Sequence, residues 1–220
     1  RGGAVSLSYT VADADFDSCR FENNYAGESG GAVSVPEPLL NKNDKTTHDN
    51  CHHSYNDCTF INNEAPSAGA LSIQKYHVVF QDSTFNDNSA TGTYGGALRL
   101  LSVYSMTMDD CNFTGNDANS EGGAVYFSST IGFVATNSNF NENDAANGAA
   151  IYLVNPLSQI DLTNTNFTRN TADNNGAGVY VQSGSSNINV DDCAFDGNTA
   201  QSGSTLYFAG STNTITITDS

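Results

Sequence analysis

The apolar positions of this chain recur at every second residue, not in helical stripes. In "SMTMDDCNF" the small or apolar side chains are Met106, Met108, Cys111 and Phe113, and in "SNINVDDCAF" they are Ile188, Val190, Cys193 and Phe195. Period two is the strand signal. Between Met108 and Cys111 two polar residues stand where one would keep the alternation, so the chain turns a corner there; the same skip recurs at Asn137, Asn164 and Asp192. Beyond each Phe come an Asn, a polar stretch, a cluster of small residues and a second alternating run, as in Val125 and Phe127, Ile151 and Leu153, or Val179 and Val181. The unit predicted is a short strand, a two-residue corner, a short strand through Phe, an Asn turn, a variable loop and a third short strand.

That unit repeats. Phe21, Phe60, Phe85, Phe113, Phe140, Phe167 and Phe195 are each followed three residues later by Asn24, Asn63, Asn88, Asn116, Asn143, Asn170 and Asn198. "GGAV" at Gly2, Gly30 and Gly122 and "GGAL" at Gly95 are intact clusters; "AGAL" at Ala68, "GAAI" at Gly148, "GAGV" at Gly176 and "GSTL" at Gly203 are worn copies. Clusters follow one another at 26 to 28 residues, except for one step of 38 from Gly30 to Ala68. A fixed period of this size means a solenoid. The Gly, Asn, Ser and Thr content argues against helical repeats, and a leucine framework is absent. The fold class expected is all-β: a right-handed parallel β-helix of about eight rungs of about 27 residues, with three short strands per rung. Residues 1–220 read as one segment of a longer repeat protein, open in mid-rung at both ends, with residues 36–50 as a loop insertion. Each Phe is expected to face in, worth about 1.5–3 kcal/mol apiece. Each Asn is expected at a turn, where it tolerates left-handed backbone and pairs its amide with the amide above.

Phe-x-x-Asn combined with Gly-Gly-Ala-[Ile/Leu/Val] resembles the repeat of the chlamydial polymorphic membrane proteins, and the resemblance runs over essentially the whole chain. Those are autotransporter adhesins with a β-helical passenger, so the resemblance implies a role in adhesion or assembly at a cell surface. It carries over no catalytic residue, because the matching positions are structural. Residues 1–220 depart from the family pattern in their worn clusters after Gly148, and no membrane barrel is expected within them.

Composition narrows the partners. With 24 acids against 7 Lys and Arg, the formal charge is −17. Nucleic acid and anionic membrane surfaces would be repelled, and there is no apolar run of membrane-spanning length, so direct membrane insertion is not expected. "NFT" at Asn112 and Asn166 are glycosylation sequons whose Asn should face out beside an inward Phe. Cys19, Cys58, Cys111 and Cys193 lie two before Phe, a position filled elsewhere by Ser83, Ser138 and Thr165, and read as buried thiols. Cys51 is the candidate for a disulfide, with Cys58 or with Cys19. His48, His52 and His53 gather around the insertion and, with Cys51 or Asp49, make a zinc site conceivable. No strong metal spacing is present, so the preferred reading is a solvated loop without metal.

Two outward features stand out. Asp57, Asp82, Asp109, Asp110, Asp191, Asp192 and Asp219 collect at the corner beside Asn137 and Asn164. Stacked carboxylates suit Ca²⁺ or, in a β-helix, polysaccharide lysis or hydrolysis, but no Lys or His falls in register with them. Tyr126, Tyr152, Tyr180 and Tyr207 share one outward column, which holds Ser6, Ser34, Ser72 and Arg99 in earlier rungs. Such a strip reads either as cross-strand stacking that stabilises the sheet or as an exposed contact face, and the contact face is the reading taken forward. The function expected is a non-enzymatic, extracellular structural or adhesive β-helix of a cell-surface protein, appendage or filament. Its expected partners are other surface proteins, copies of itself or glycans; the alternatives are a glycan-binding module and a polysaccharide lyase or hydrolase. No cofactor is expected.

Overall fold

The computed structural model describes residues 2–8, 10–38, 51–156, 158–184, 187–210 and 214–220. The chain is a right-handed β-solenoid of about seven turns, without helix among the described residues. Every strand pairs in parallel with the strand one rung away. Phe60 faces Phe85, Phe85 faces Phe113, and Phe113 faces Phe140.

Among the described residues the coil has four parallel sheets where three were expected, and the fourth covers only its middle rungs. A long-strand sheet of eight includes Ser105–Asp109 and Gly132–Thr136; a phenylalanine sheet of seven includes Asn112–Thr114 and Asn139–Asn141; a tyrosine sheet of eight includes Val125–Ser128 and Ile151–Val154. The fourth, an alanine sheet of five, is made by Glu64–Ala65, Ser89–Ala90, Asp117–Glu121, Asp144–Asn147 and Thr171–Asn175. The sequence predicts a variable loop at these residues. Each strand buries one side chain, Ala65, Ala90, Ala118, Ala145 or Ala172. The backbone of the glycine cluster one rung back packs directly against this strand. A Cβ added at Gly96 would stand 2.6 Å from the carbonyl oxygen of Asp117.

Corners with left-handed backbone separate the sheets. After the long strands, Asp57, Asp82, Asp110, Asn137, Asn164, Asp192 and Asp219 all have φ between 48° and 52°. Asp and Asn are the non-glycine residues that adopt this region most readily. The acidic corner expected as a chemical feature is therefore first a backbone requirement.

Inside, the Phe rings form a ladder from Phe21 to Phe195, with centroids 4.6–5.1 Å apart and planes within 7° of parallel. The Asn residues three positions on are also inside, which corrects their expected place at a left-handed turn. Asn63, Asn88, Asn116, Asn143 and Asn170 are fully buried. The left-handed residue precedes each: Asn62, Asp87, Gly115, Glu142 and Arg169. Each buried Asn donates its amide to the next Asn and to the carbonyl of a Phe one rung back. Asn116 Nδ2 donates to Asn143 Oδ1 at 3.0 Å and to Phe85 O at 2.9 Å. The expected amide pairing exists, as a polar column inside the core.

Residues 39–50, most of the expected insertion, lie outside the described residues. On either side of them the stack keeps its register, with Val33 opposite Leu71 and Ala14 opposite His53 opposite Val78.

Candidate interaction groove

Tyr126, Tyr152, Tyr180 and Tyr207 do share one column in register, preceded by Ser6, Ser34, Ser72 and Arg99. They point away from the Phe core, but the first three are not exposed. Tyr126, Tyr152 and Tyr180 are 8%, 2% and 9% exposed and form a second apolar cluster with Tyr94, Leu101, Val154 and the half-buried Tyr207. Neighbouring rings stack at 4.5–5.8 Å from Tyr94 to Tyr207. The expected exposed contact strip is therefore corrected to a covered aromatic stack.

Two local features cover it. Each Tyr lies four residues after a left-handed glycine, and a Cβ at Gly148, Gly176 or Gly203 would come within 2.8–2.9 Å of the Tyr152, Tyr180 or Tyr207 Cβ. Absence of a side chain at the corner lets the ring fold over it. The alanine strand is also longer here. It has four or five residues in the rungs of Tyr126, Tyr152 and Tyr180, against two in Glu64–Ala65 and Ser89–Ala90. These extensions bring Glu121 to the ring column. Burial raises the Glu121 pKa, and the hydrogen bond from Tyr152 opposes that shift. Burial, the Glu121 charge and Tyr180 push the Tyr152 phenol up. Tyr152→Ser is expected to cost about 2–4 kcal/mol in urea unfolding, near the figure for a core aromatic; a loss under about 0.5 kcal/mol would contradict this packing.

Where the column holds Ser, the same groove is open. A cavity of about 440 Å³ is lined by Ser6, Ser8, Ser29, Ser34, Ser72 and Arg99, with Leu7, Glu28, Val35, Pro36 and Gln74 completing the wall. Arg99 occupies the position between the last Ser and the first Tyr, beside Tyr94 and Tyr126. Its Nη1 reaches Ser72 Oγ at 3.5 Å and its buried Nε has no hydrogen-bond partner.

The other expected sites sit elsewhere. Asn112 and Asn166 are exposed on the phenylalanine sheet, as the sequons require. They belong to an outer amide row, where Asn139 donates to Asn112 at 3.0 Å and Asn166 donates to Asn139 at 2.8 Å. Among the described residues no disulfide joins Cys51 to Cys58 or to Cys19, which corrects the expected pairing. Cys58 lies beside Cys19 in the next rung, its backbone N–H bonded to Ser83 Oγ at 3.1 Å. Burial pushes the Cys111 thiol up to about 11. Among the described residues no group of three or more His, Cys, Asp or Glu could hold a metal ion. At the corner, Asp109 accepts from Thr136 at 2.5 Å and Asn137 at 2.8 Å, which lowers its pKa.

His52 and His53 belong to the strand His52–Asn56, not to a solvated loop, and consecutive strand residues face opposite ways. His52 stacks on His77 at 5.0 Å, while His53 is fully buried edge-on to Tyr76 at 4.3 Å. Neither His53 ring nitrogen has a hydrogen-bond partner. Burial lowers its pKa from 6.5 to about 4 despite Asp13 and Asp15. The unfolded chain therefore takes up this proton at higher pH than the folded one, and stability falls as pH drops from 6.5 towards 4. The loss should reach about 3 kcal/mol. His53→Val, matching Val78 on the next rung, should remove that part of the acid sensitivity; equal pH profiles by urea unfolding would contradict the burial.

Comparison with known families agrees with this geometry. Residues 18–36 match the Chlamydia polymorphic membrane protein repeat, covering the rung of Phe21, Asn24 and Gly30. No curated protein and no solved structure matches the chain. Residues 39–220 match the right handed beta helix region, and with that match spanning most of its length the chain belongs to the right handed beta helix family.

Proposed function

We propose that this chain is a non-enzymatic, extracellular scaffold of a cell surface, acting in adhesion or assembly. The observation that carries the reading is the repeat itself: the rung at 18–36 matches a polymorphic membrane protein repeat, and the same Phe, Asn and small-residue positions recur to the last rung. Such a stack makes a stiff rod whose outer face is free to vary. The partners proposed are other surface proteins, copies of the chain or glycans, with Asn112 and Asn166 as glycosylation positions if the source glycosylates.

A lyase or hydrolase has less support. The column Asp57, Asp82, Asp110, Asn137, Asn164, Asp192 and Asp219 is accounted for by its left-handed backbone, and no Lys, Arg or His stands in it. Beads coated with the protein are expected to adhere to cells or to one another, and free protein should compete saturably. Absence of both, or release of reducing ends from polysaccharides, would contradict the proposal.

A further inference from the structure

We infer that the serine-lined cavity at Arg99 binds a single sugar residue carrying an anionic substituent. The cationic side chains among the described residues are Arg20, Lys75, Arg99 and Arg169. Arg20 pairs with Glu22 at 3.0 Å, Arg169 with Glu142 at 2.7 Å, and Lys75 with Glu37. Arg99 alone of these four has no ion pair with a described carboxylate, in a protein of formal charge −17. Its guanidinium is partly withdrawn from water, with one long hydrogen bond to Ser72 and an unpartnered Nε. A buried charge left so poorly satisfied is costly, and an anion in the cavity offsets that cost. The planar fork of Arg suits a carboxylate or sulfate.

Ser6, Ser8, Ser29, Ser34 and Ser72 present hydroxyls, Gln74 adds an amide, and Glu28 adds an acceptor. That mixture matches a ring with several hydroxyls better than it matches a peptide. Tyr94 and Tyr126 lie beside Arg99, outside the cavity wall, where the covered Tyr stack begins. At about 440 Å³ the cavity lies within the usual range for small-ligand sites. Four consecutive rungs fill this groove with Tyr, and four leave it open with Ser or Arg in register.

The inference names a ligand class for the proposed surface role and rests on that role for its biological meaning. The test is calorimetric titration of residues 1–220 with glucuronate, glucose 6-sulfate, glucose and N-acetylalanine. Glucuronate, glucose 6-sulfate or both should bind saturably, about tenfold or more tighter than glucose or N-acetylalanine. Arg99→Gln should reduce anionic-sugar binding to the glucose level. Ser34→Tyr should block it, since Gly30 has the left-handed backbone over which a Tyr fits in the later rungs. Both variants are expected to keep the parent's circular dichroism and melting temperature. The inference is overturned if no sugar binds, if glucose or N-acetylalanine binds as tightly, or if folded Arg99→Gln binds as the parent does. Sugar binding without bead adhesion would overturn the surface role alone, and adhesion without sugar binding would overturn the cavity's role alone.

Discussion

Asn116→Ala is expected to be among the most damaging single substitutions in the chain, costing roughly 4–6 kcal/mol. Asn116 sits mid-ladder, fully buried. Its Nδ2 donates to Phe85 O at 2.9 Å and to Asn143 Oδ1 at 3.0 Å, and its Oδ1 accepts from Asn88 N at 3.1 Å and Asn88 Nδ2 at 3.0 Å. Alanine removes all four bonds: the buried Asn88 N–H is left without a partner, at about 1–3 kcal/mol, while Asn88 Nδ2 keeps Phe60 O and Asn143 Oδ1 keeps the Asn116 N–H, so each of the other three losses is nearer about 0.5–1.5 kcal/mol. A loss of that size is a large fraction of the whole stability of an ordinary domain. Asn166→Ala removes one bond of the exposed outer amide row and should cost under about 1 kcal/mol, because water replaces it. Equal losses for the two in urea unfolding would mean that the inner ladder is not sealed from solvent.

Phe140→Ala should cost about 3–5 kcal/mol by a different route. The ring is fully buried between Phe113 at 4.8 Å and Phe167 at 5.1 Å. Truncation removes two stacked contacts and leaves a void that neighbouring rungs cannot close without breaking their own register. Asn141→Ala, one residue on and facing outward, loses a 3.0 Å bond from Arg169 and should stay within about 0.5 kcal/mol. Matching melting curves for the two variants would place the Phe column on the wrong face.

The rung was legible wherever one chemistry repeats at one position. Phe at the ladder, Asn three residues on, and Asp or Asn at the first corner each mark their place because every rung asks the same of them. The alanine strand is hidden in the sequence, since its signal is a single small residue five after each Phe, set among polar neighbours that look like loop. The inward turn of the Asn column was misread because a polar residue at a buried position breaks the alternation that marks a strand face; only the ladder of mutual hydrogen bonds makes that burial tolerable. The second corner was obscured by its variety, as Asn62, Asp87, Gly115, Glu142 and Arg169 share a backbone conformation but little chemistry.

The groove follows the same division. That Tyr126, Tyr152, Tyr180 and Tyr207 form one outward column was readable from the alternation. Their burial was not, because it depends on the length of the alanine strands and on glycines four residues earlier. The cavity is harder still to read, being a volume left by Ser where later rungs place Tyr. Its Arg99 looks in sequence like one irregular entry in a column. Only the missing ion pair and the unpartnered Nε distinguish it.

The most direct test of the rung architecture is side-chain amide hydrogen exchange by NMR. The Nδ2 protons of Asn63, Asn88, Asn116, Asn143 and Asn170 should exchange orders of magnitude more slowly than those of Asn112 and Asn166, since exposing the inner column requires opening the stack. Exchange of the inner amides at the rate of the outer ones would contradict the sealed ladder, and with it the stiff scaffold on which the functional reading depends.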